Sequence, residues 1–239
     1  MWNFDALTGR ESLHLVEAPQ ELDGRTSKNE PLLLHADVVE PLMQLHLSAQ
    51  KQGIDLRVAS SYRSFERQQS IWNRKCRGEL LLLNEKGRVI DPHLLTPTEL
   101  LFAVSRWSAL PGASRHHWGT DVDLVDHRPI SNGYEAQLVP EEYSTGGAFA
   151  LLGEWLKEEL SSSCCPFARP YEVDRGGVAP EPWHLSYKEG AMEAERSFSI
   201  EDLRTILKNE KIELSSVVLE HLSDYWERWI ASAFLSNSL

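Results

Sequence analysis

Two short runs of this chain hold residues able to grip one metal ion between them. The first is Ser114-Arg115-His116-His117-Trp118-Gly119-Thr120-Asp121-Val122-Asp123. The second, Glu181-Pro182-Trp183-His184, begins 58 residues after Asp123. A catalytic zinc site uses three imidazole or carboxylate ligands, keeps a fourth position for water and works with a nearby base. His116 and Asp123 are seven residues apart with Gly119 between them. A loop that bends at the glycine and runs into a strand can aim both side chains at one point, and His184 closes the set from a neighbouring strand. Glu181 is then placed to take a proton from the zinc-bound water and pass it to a leaving amine. These residue types in this order predict a zinc hydrolase.

The elements that must position them are legible in outline. Residues 35–51 carry apolar side chains at helical spacing (Val38, Val39, Leu42, Leu45), with Pro41 limiting the regularity of the first turns. Leu56 to Tyr62 reads as a short strand that ends at Arg63, after which Ser64 can cap a helix running to about Lys75. Leu80 to Leu83 is a short apolar run of either type. Thr96-Pro97-Thr98-Glu99 has the form of a capping box opening a helix to about Trp107. Thr120 to Val125 reads as a strand with Asp121 and Asp123 on one face and Val122 and Leu124 on the other. A helix is expected over 147–160, a strand near Tyr171, and a last strand over 180–187, where Pro182 marks a bulge or a strand entry. Glu181 and His184, three apart, would face opposite sides of a straight strand, so that irregularity lets both reach one cavity. Ser199 caps a helix ending near Asn209. A longer helix from Ser215 or Ser216 carries Val218, Leu222, Tyr225, Trp226, Trp229 and Ala233 on one stripe. That stripe packs on the core, or covers the site, or makes a homodimer contact. The zinc domain is expected to span 1–190, with residues 1–30 wrapping its surface, and a C-terminal helical extension to span 191–239.

Bulk properties narrow the partners. The chain has 239 residues, 41% of them hydrophobic and 25% charged, which is ordinary for a globular protein. A net charge of −12 with no basic stripe excludes nucleic acid as the natural partner, and an acidic ligand would need a local cation such as Arg63. No apolar run is long enough for a membrane span. Met1-Trp2-Asn3-Phe4-Asp5 has neither a basic region nor an apolar stretch, so no signal peptide is visible and a cytoplasmic protein is expected. Three cysteines, two of them adjacent at 164 and 165, argue against a disulfide framework and for free thiols. His14, His35, His46, His93, His127 and His221 lack any ligand pattern.

At the residues quoted above, the chain resembles the bacterial zinc metallopeptidases that include D-alanyl-D-alanine carboxypeptidases and dipeptidases of the vancomycin-resistance type, relatives of the hedgehog zinc domain. The shared signature runs Ser114-Arg115-His116, Gly119, Asp123 and then Glu181-Pro182-Trp183-His184, with an upstream Tyr62-Arg63-Ser64 followed by Gln68. It covers the middle half of the chain. The resemblance implies an α+β fold, with a small central antiparallel sheet flanked by helices and the zinc on its open face. It implies zinc held by His116, Asp123 and His184, with acid and base work by Glu181. It also implies that Arg63 stabilises the polarised carbonyl or holds a substrate carboxylate, and that Ser114 and Gln68 orient the peptide. The expected reaction is removal of a terminal D-alanine from peptidoglycan stem peptides or muropeptides; the alternatives are an endolysin-like stem-peptide endopeptidase and a non-catalytic zinc-binding module. The chain departs from the pattern at Asp121, where the family has a small residue. Asp121 is expected to hydrogen-bond a ligand histidine, the other readings being contact with a substrate ammonium group or replacement of Asp123 as ligand. His117 beside His116 creates a similar ambiguity, which the signature resolves toward His116.

Overall fold

Local signals shape the framework around the site. The computed structural model describes residues 2–27 and 29–237. In chain order, α1 (Phe4–Leu7) precedes β1 (Leu15–Glu17) and β2 (Leu33–His35), which pair antiparallel. Next come α2 (Ala36–Lys51), β3 (Leu56–Ser60) and α3 (Phe65–Cys76). A small hairpin, β4 (Leu82–Leu83) with β5 (Val89–Ile90), resolves the ambiguous apolar run as a strand and leads to α4 (Pro97–Trp107). The first histidine run forms a 3₁₀ turn over Arg115–Trp118 and enters β6 (Asp121–Asp126), followed by α5 (His127–Ser131) and α6 (Ala150–Ser161). Then come β7 (Phe167–Ala168), β8 (His184–Tyr187), α7 (Lys188–Ser197), α8 (Ile200–Asn209), α9 (Ser215–Glu220) and α10 (Leu222–Trp229). The expected caps are in place: Ser64 accepts from the Arg67 amide, and Thr96 with Glu99 and Ser199 with Asp202 form reciprocal capping boxes.

The fold is α+β, with a four-stranded antiparallel sheet in the order β3-β6-β8-β7. Val122 and Leu124 of β6 join a buried cluster with Leu42, Leu45, Phe149 and Leu152, which seats α2 and α6 on the sheet. Asp121 and Asp123 alternate to the opposite face. A second cluster joins Phe65 and Trp72 of α3, Leu101 and Val104 of α4, and apolar residues of α7 to α10. Trp72 also donates its indole N–H to the Glu213 carbonyl at 2.9 Å, tying α3 to the segment before α9. No helix among the described residues is long and apolar enough to cross a membrane.

Several expectations change. The N-terminal residues do more than wrap the surface, since Leu7 and Leu22 are buried and β1 pairs with β2. The helix expected from 147 begins at Ala150: a Cβ on Gly147 would lie 2.2 Å from the Glu141 carbonyl oxygen, so that residue belongs to a tight turn against the preceding segment. The strand near Tyr171 is instead Phe167–Ala168. The long C-terminal helix is broken at His221 into α9 and α10, and its stripe faces inward: Val218, Leu222, Tyr225 and Trp229 are buried in the second cluster. An apolar face already covered by the chain's own core is not available to a second copy, so the homodimer expectation has no support. The three cysteines are free, with Cys76 and Cys165 buried and Cys164 exposed.

Candidate metal centre

Strand register brings the first two donors together. Asp123 pairs with His184 across β6 and β8, and with Ser60 across β3 and β6. Directly opposed residues share a sheet face with their Cβ atoms about 5 Å apart. Pro182 and Trp183 lie in a turn and β8 starts only at His184, whose amide donates to the Glu181 carbonyl at 3.2 Å. The strand entry lets Glu181 face the same cavity as His184. His116 arrives from the 3₁₀ turn, which ends at Gly119 with φ +69. A Cβ there would lie 2.4 Å from Leu15 and 2.9 Å from the His35 backbone nitrogen, so only glycine fits this reversal.

One ligand atom from each of His116, Asp123 and His184 lies within 4.8 Å of the others, and all three residues are buried. His116 Nε2 is 3.3 Å from Asp123 Oδ2. His184 Nδ1 is 3.1 Å from Asp123 Oδ1 and 3.3 Å from Glu181 Oε2. The approach of His184 Nδ1 to Asp123 Oδ1 is short but poorly directed, since both atoms are buried without a hydrogen-bond partner, as is His116 Nδ1. The other His184 nitrogen, Nε2, lies 2.9 Å from Asp121 Oδ1 and donates to it. That leaves Nδ1 as the ring atom that faces the carboxylates and would offer its lone pair to a metal ion once its own proton is displaced. Carboxylates and imidazole nitrogens facing one another in a buried space call for positive charge between them, a proton or a metal cation. Two imidazoles and a carboxylate are a donor set that fits zinc, with Glu181 left over as a base.

Electrostatics agree with this. Burial alone would raise the Asp123 carboxyl, but the imidazoles of His116 and His184 hold it below the usual carboxylate range. Asp121 behaves alike, with burial outweighed by Arg115 and His184. Burial opposes a charge on His184, yet Asp121, Asp123 and Glu181 together raise its pKa, so without a metal the ring holds a proton that metal binding must displace. Asp121 is not aimed at the metal position. It accepts from His184, Arg115 Nε (2.8 Å), Thr120 Oγ1 (2.8 Å) and Ser186 Oγ (3.0 Å). Arg115 in turn donates to Glu195 at 2.7 Å, and Glu195 accepts the backbone amides of Leu235 and Ser236. A buried chain of charges thus runs from a metal donor to the C-terminal segment.

Arg63 and Ser114 line a cavity of about 270 Å³ with the three donors and Glu181. Arg63 Nη1 donates to Gln68 Oε1 at 2.7 Å and Nη2 to Ser60 Oγ at 3.3 Å. Gln68, expected at the peptide, is fully buried behind Arg63, its amide nitrogen donating to the Ala109 carbonyl. His117 is a strut rather than a ligand: Nδ1 donates to the Arg63 carbonyl at 2.7 Å and Nε2 accepts the Gly112 amide at 3.0 Å. Burial pushes its pKa down to about 3, so it stays neutral. A larger depression of about 550 Å³ near Phe102, Arg106 and Trp229 holds none of these donors.

Sequence reasoning passed over Lys75, Tyr171 and Leu138, which also line the cavity. The Tyr171 ring stands edge-on to His184 at 5.0 Å, and burial lifts its phenol to about 12, which keeps it neutral. Leu138 holds a φ of +53, a conformation costly for leucine. Neither carries a spacing signal. Lys75 does carry one, falling seven residues, about two helical turns, after Gln68.

A Haemophilus influenzae protein of uncharacterised function is 38% identical to this chain over 123 residues, which is 51% of the chain and 92% of that protein. A D-alanyl-D-alanine carboxypeptidase of Enterococcus faecalis is 29% identical over 153 residues, 62% of this chain and 46% of that enzyme, so the match spans about half the enzyme's length. The solved structure of the LdcB LD-carboxypeptidase superposes with a TM-score of 0.51 at 22% identity, covering 81% of this chain and 78% of its own, a likeness of fold. Residues 31–190, which take in both ligand runs and Arg63, match the VanY family, described as D-alanyl-D-alanine carboxypeptidase, and the chain belongs to that family.

Proposed function

We propose that the protein is a zinc carboxypeptidase that removes the terminal D-alanine from peptidoglycan stem peptides or muropeptides. The observation that carries this reading is the buried His116-Asp123-His184 donor set with the Glu181 carboxylate 3.3 Å from one donor atom, in a cavity that also holds Arg63. A bound zinc ion would supply a Lewis acid for the scissile carbonyl and bring the pKa of water near neutrality. Glu181 accepts the proton that water loses as it adds to the carbonyl carbon, and returns it to the amine as the C–N bond breaks. Arg63, held by Gln68 and Ser60, faces the negative charge that develops on the carbonyl oxygen. Tyr171 and Trp183 wall the cavity. In a cytoplasmic setting the substrates would be cell-wall precursors or recycled muropeptides.

A base and a guanidinium beside the metal donors support catalysis over a purely binding role for the zinc domain. The test is mass spectrometry of synthetic stem peptides after incubation with zinc-loaded protein. Loss of one alanine from the pentapeptide alone marks a D,D-carboxypeptidase, and loss from the tetrapeptide an L,D-enzyme. Internal cleavage would move the reading to an endopeptidase. No cleavage by protein carrying one zinc per chain would replace it with the binding module.

A further inference from the structure

Three cations line the cavity, and their partners differ. Arg115 is engaged by Asp121, Glu195 and Ser186. Arg63 is engaged by Gln68 and Ser60. Lys75 meets neutral oxygens only: its ammonium donates to Ser108 Oγ at 2.8 Å and to the Trp107 carbonyl at 3.4 Å. Among the described residues, no carboxylate pairs with it. A lysine ammonium has three protons to donate, so one remains for a ligand. Lys75 is half-buried, and a lysine that leaves water without an ion pair loses part of its hydration. Here burial and the nearby Arg63 bring the pKa down to about 8, which leaves the side chain largely charged at neutral pH.

Position adds to this. Lys75 lies on the same face of α3 as Gln68, which holds Arg63 in place. Leu83, Trp107 and Val178 line the same cavity, which suits a small apolar side chain. In a chain of net charge −12, the two cavity cations without a carboxylate partner among the described residues, Arg63 and Lys75, are the features that would draw in anionic groups. With Arg63 assigned to the developing oxyanion, Lys75 is left for a carboxylate.

We propose that Lys75 forms a carboxylate-binding subsite that reads the free C-terminus of the peptide, making the enzyme selective for peptides with a terminal carboxylate over otherwise identical peptides lacking one. The inference rests on the peptidase reading above and narrows it to carboxypeptidase action. A stem peptide also carries internal carboxylates, and the same chemistry would suit those, so the test separates the two sources.

The experiment compares kcat/KM for one stem pentapeptide as the free acid, as the C-terminal amide, and with its internal carboxylate amidated. Zinc-loaded wild-type protein and the Lys75→Met and Lys75→Arg variants are compared, with zinc content and Tm recorded for each. A charge-assisted hydrogen bond of ordinary strength predicts that the wild type prefers the free acid over the terminal amide by ~10- to 100-fold. In Lys75→Met that ratio falls toward one while one zinc per chain is retained, and Lys75→Arg restores part of it. Equal reduction of acid and amide by Lys75→Met overturns the proposal in favour of a structural role. A preference lost instead for the internally amidated peptide overturns it in favour of the internal carboxylate. If the wild type cleaves acid and amide equally, the subsite is refuted while the peptidase stands. If it cleaves none of the peptides, the peptidase reading itself fails.

Discussion

Asp121 shows how one residue can govern a site it does not enter. Its carboxylate accepts from His184 Nε2, which turns the other ring nitrogen toward the metal position. Asp121→Asn also takes half of Arg115's counter-charge and should lower stability. In the folded protein it should weaken zinc binding by about 10- to 100-fold, as read by competition with a chromogenic chelator; an unchanged affinity would show that the hydrogen bond does not tune the ligand. Lys75 makes a different kind of prediction. Its pKa is lowered from 10.5 to about 8, chiefly by burial. The unfolded chain thus binds more protons between those values, and stability rises with pH through that window. The penalty is full below about pH 8 and is gone above about 10.5. Urea unfolding should show the wild type gaining up to ~3 kcal/mol relative to Lys75→Met as pH rises from 8 to 10.5. A flat difference would mean that the ammonium is better solvated than the structure shows.

At the scale of elements, the site depends on the β6–β8 register and on α7. The donor-bearing face of β6 was legible from alternation in Thr120–Val125 and the strand entry from the proline before His184, but the pairing of Asp123 with His184 was not. Capping boxes at Thr96 and Ser199 were legible because each is a contiguous four-residue pattern. What escaped notice depends on contacts distant in sequence. The break at His221 leaves the apolar stripe intact, so periodicity alone could not reveal it. The strand near Tyr171 was misplaced because β7 is only two residues long and pairs with β8 through Phe167 and Ala168. Glu195 sits in an ordinary amphipathic helix, and its partner Arg115 lies 80 residues away. Removing it would leave Arg115 buried with half its counter-charge. Glu195→Ala should destabilise the metal-free protein by ~3–5 kcal/mol, measured by urea denaturation. A loss below ~1 kcal/mol would show that the C-terminal segment does not support the site through this pair.

Across the whole molecule, residues of α7 to α10 share a buried cluster with α3 and α4, and through Arg115 they reach the metal donors. The donor set was readable before the fold because its residue types are chemically distinctive and fall in two compact runs. The cavity walls were not readable, since Tyr171, Leu138 and Lys75 come from three unrelated segments whose meeting only tertiary packing decides. The central claim is that the His116-Asp123-His184 set holds zinc while Glu181 moves the proton. The most direct measurement pairs zinc content with D-alanine release from a stem peptide, for the wild type and Glu181→Gln. The account predicts one zinc per chain in both proteins and a turnover at least about 100-fold lower in Glu181→Gln, the usual scale of a lost general base. Undiminished turnover in the variant would contradict it, as would loss of zinc together with activity, which would make Glu181 a ligand instead of the base.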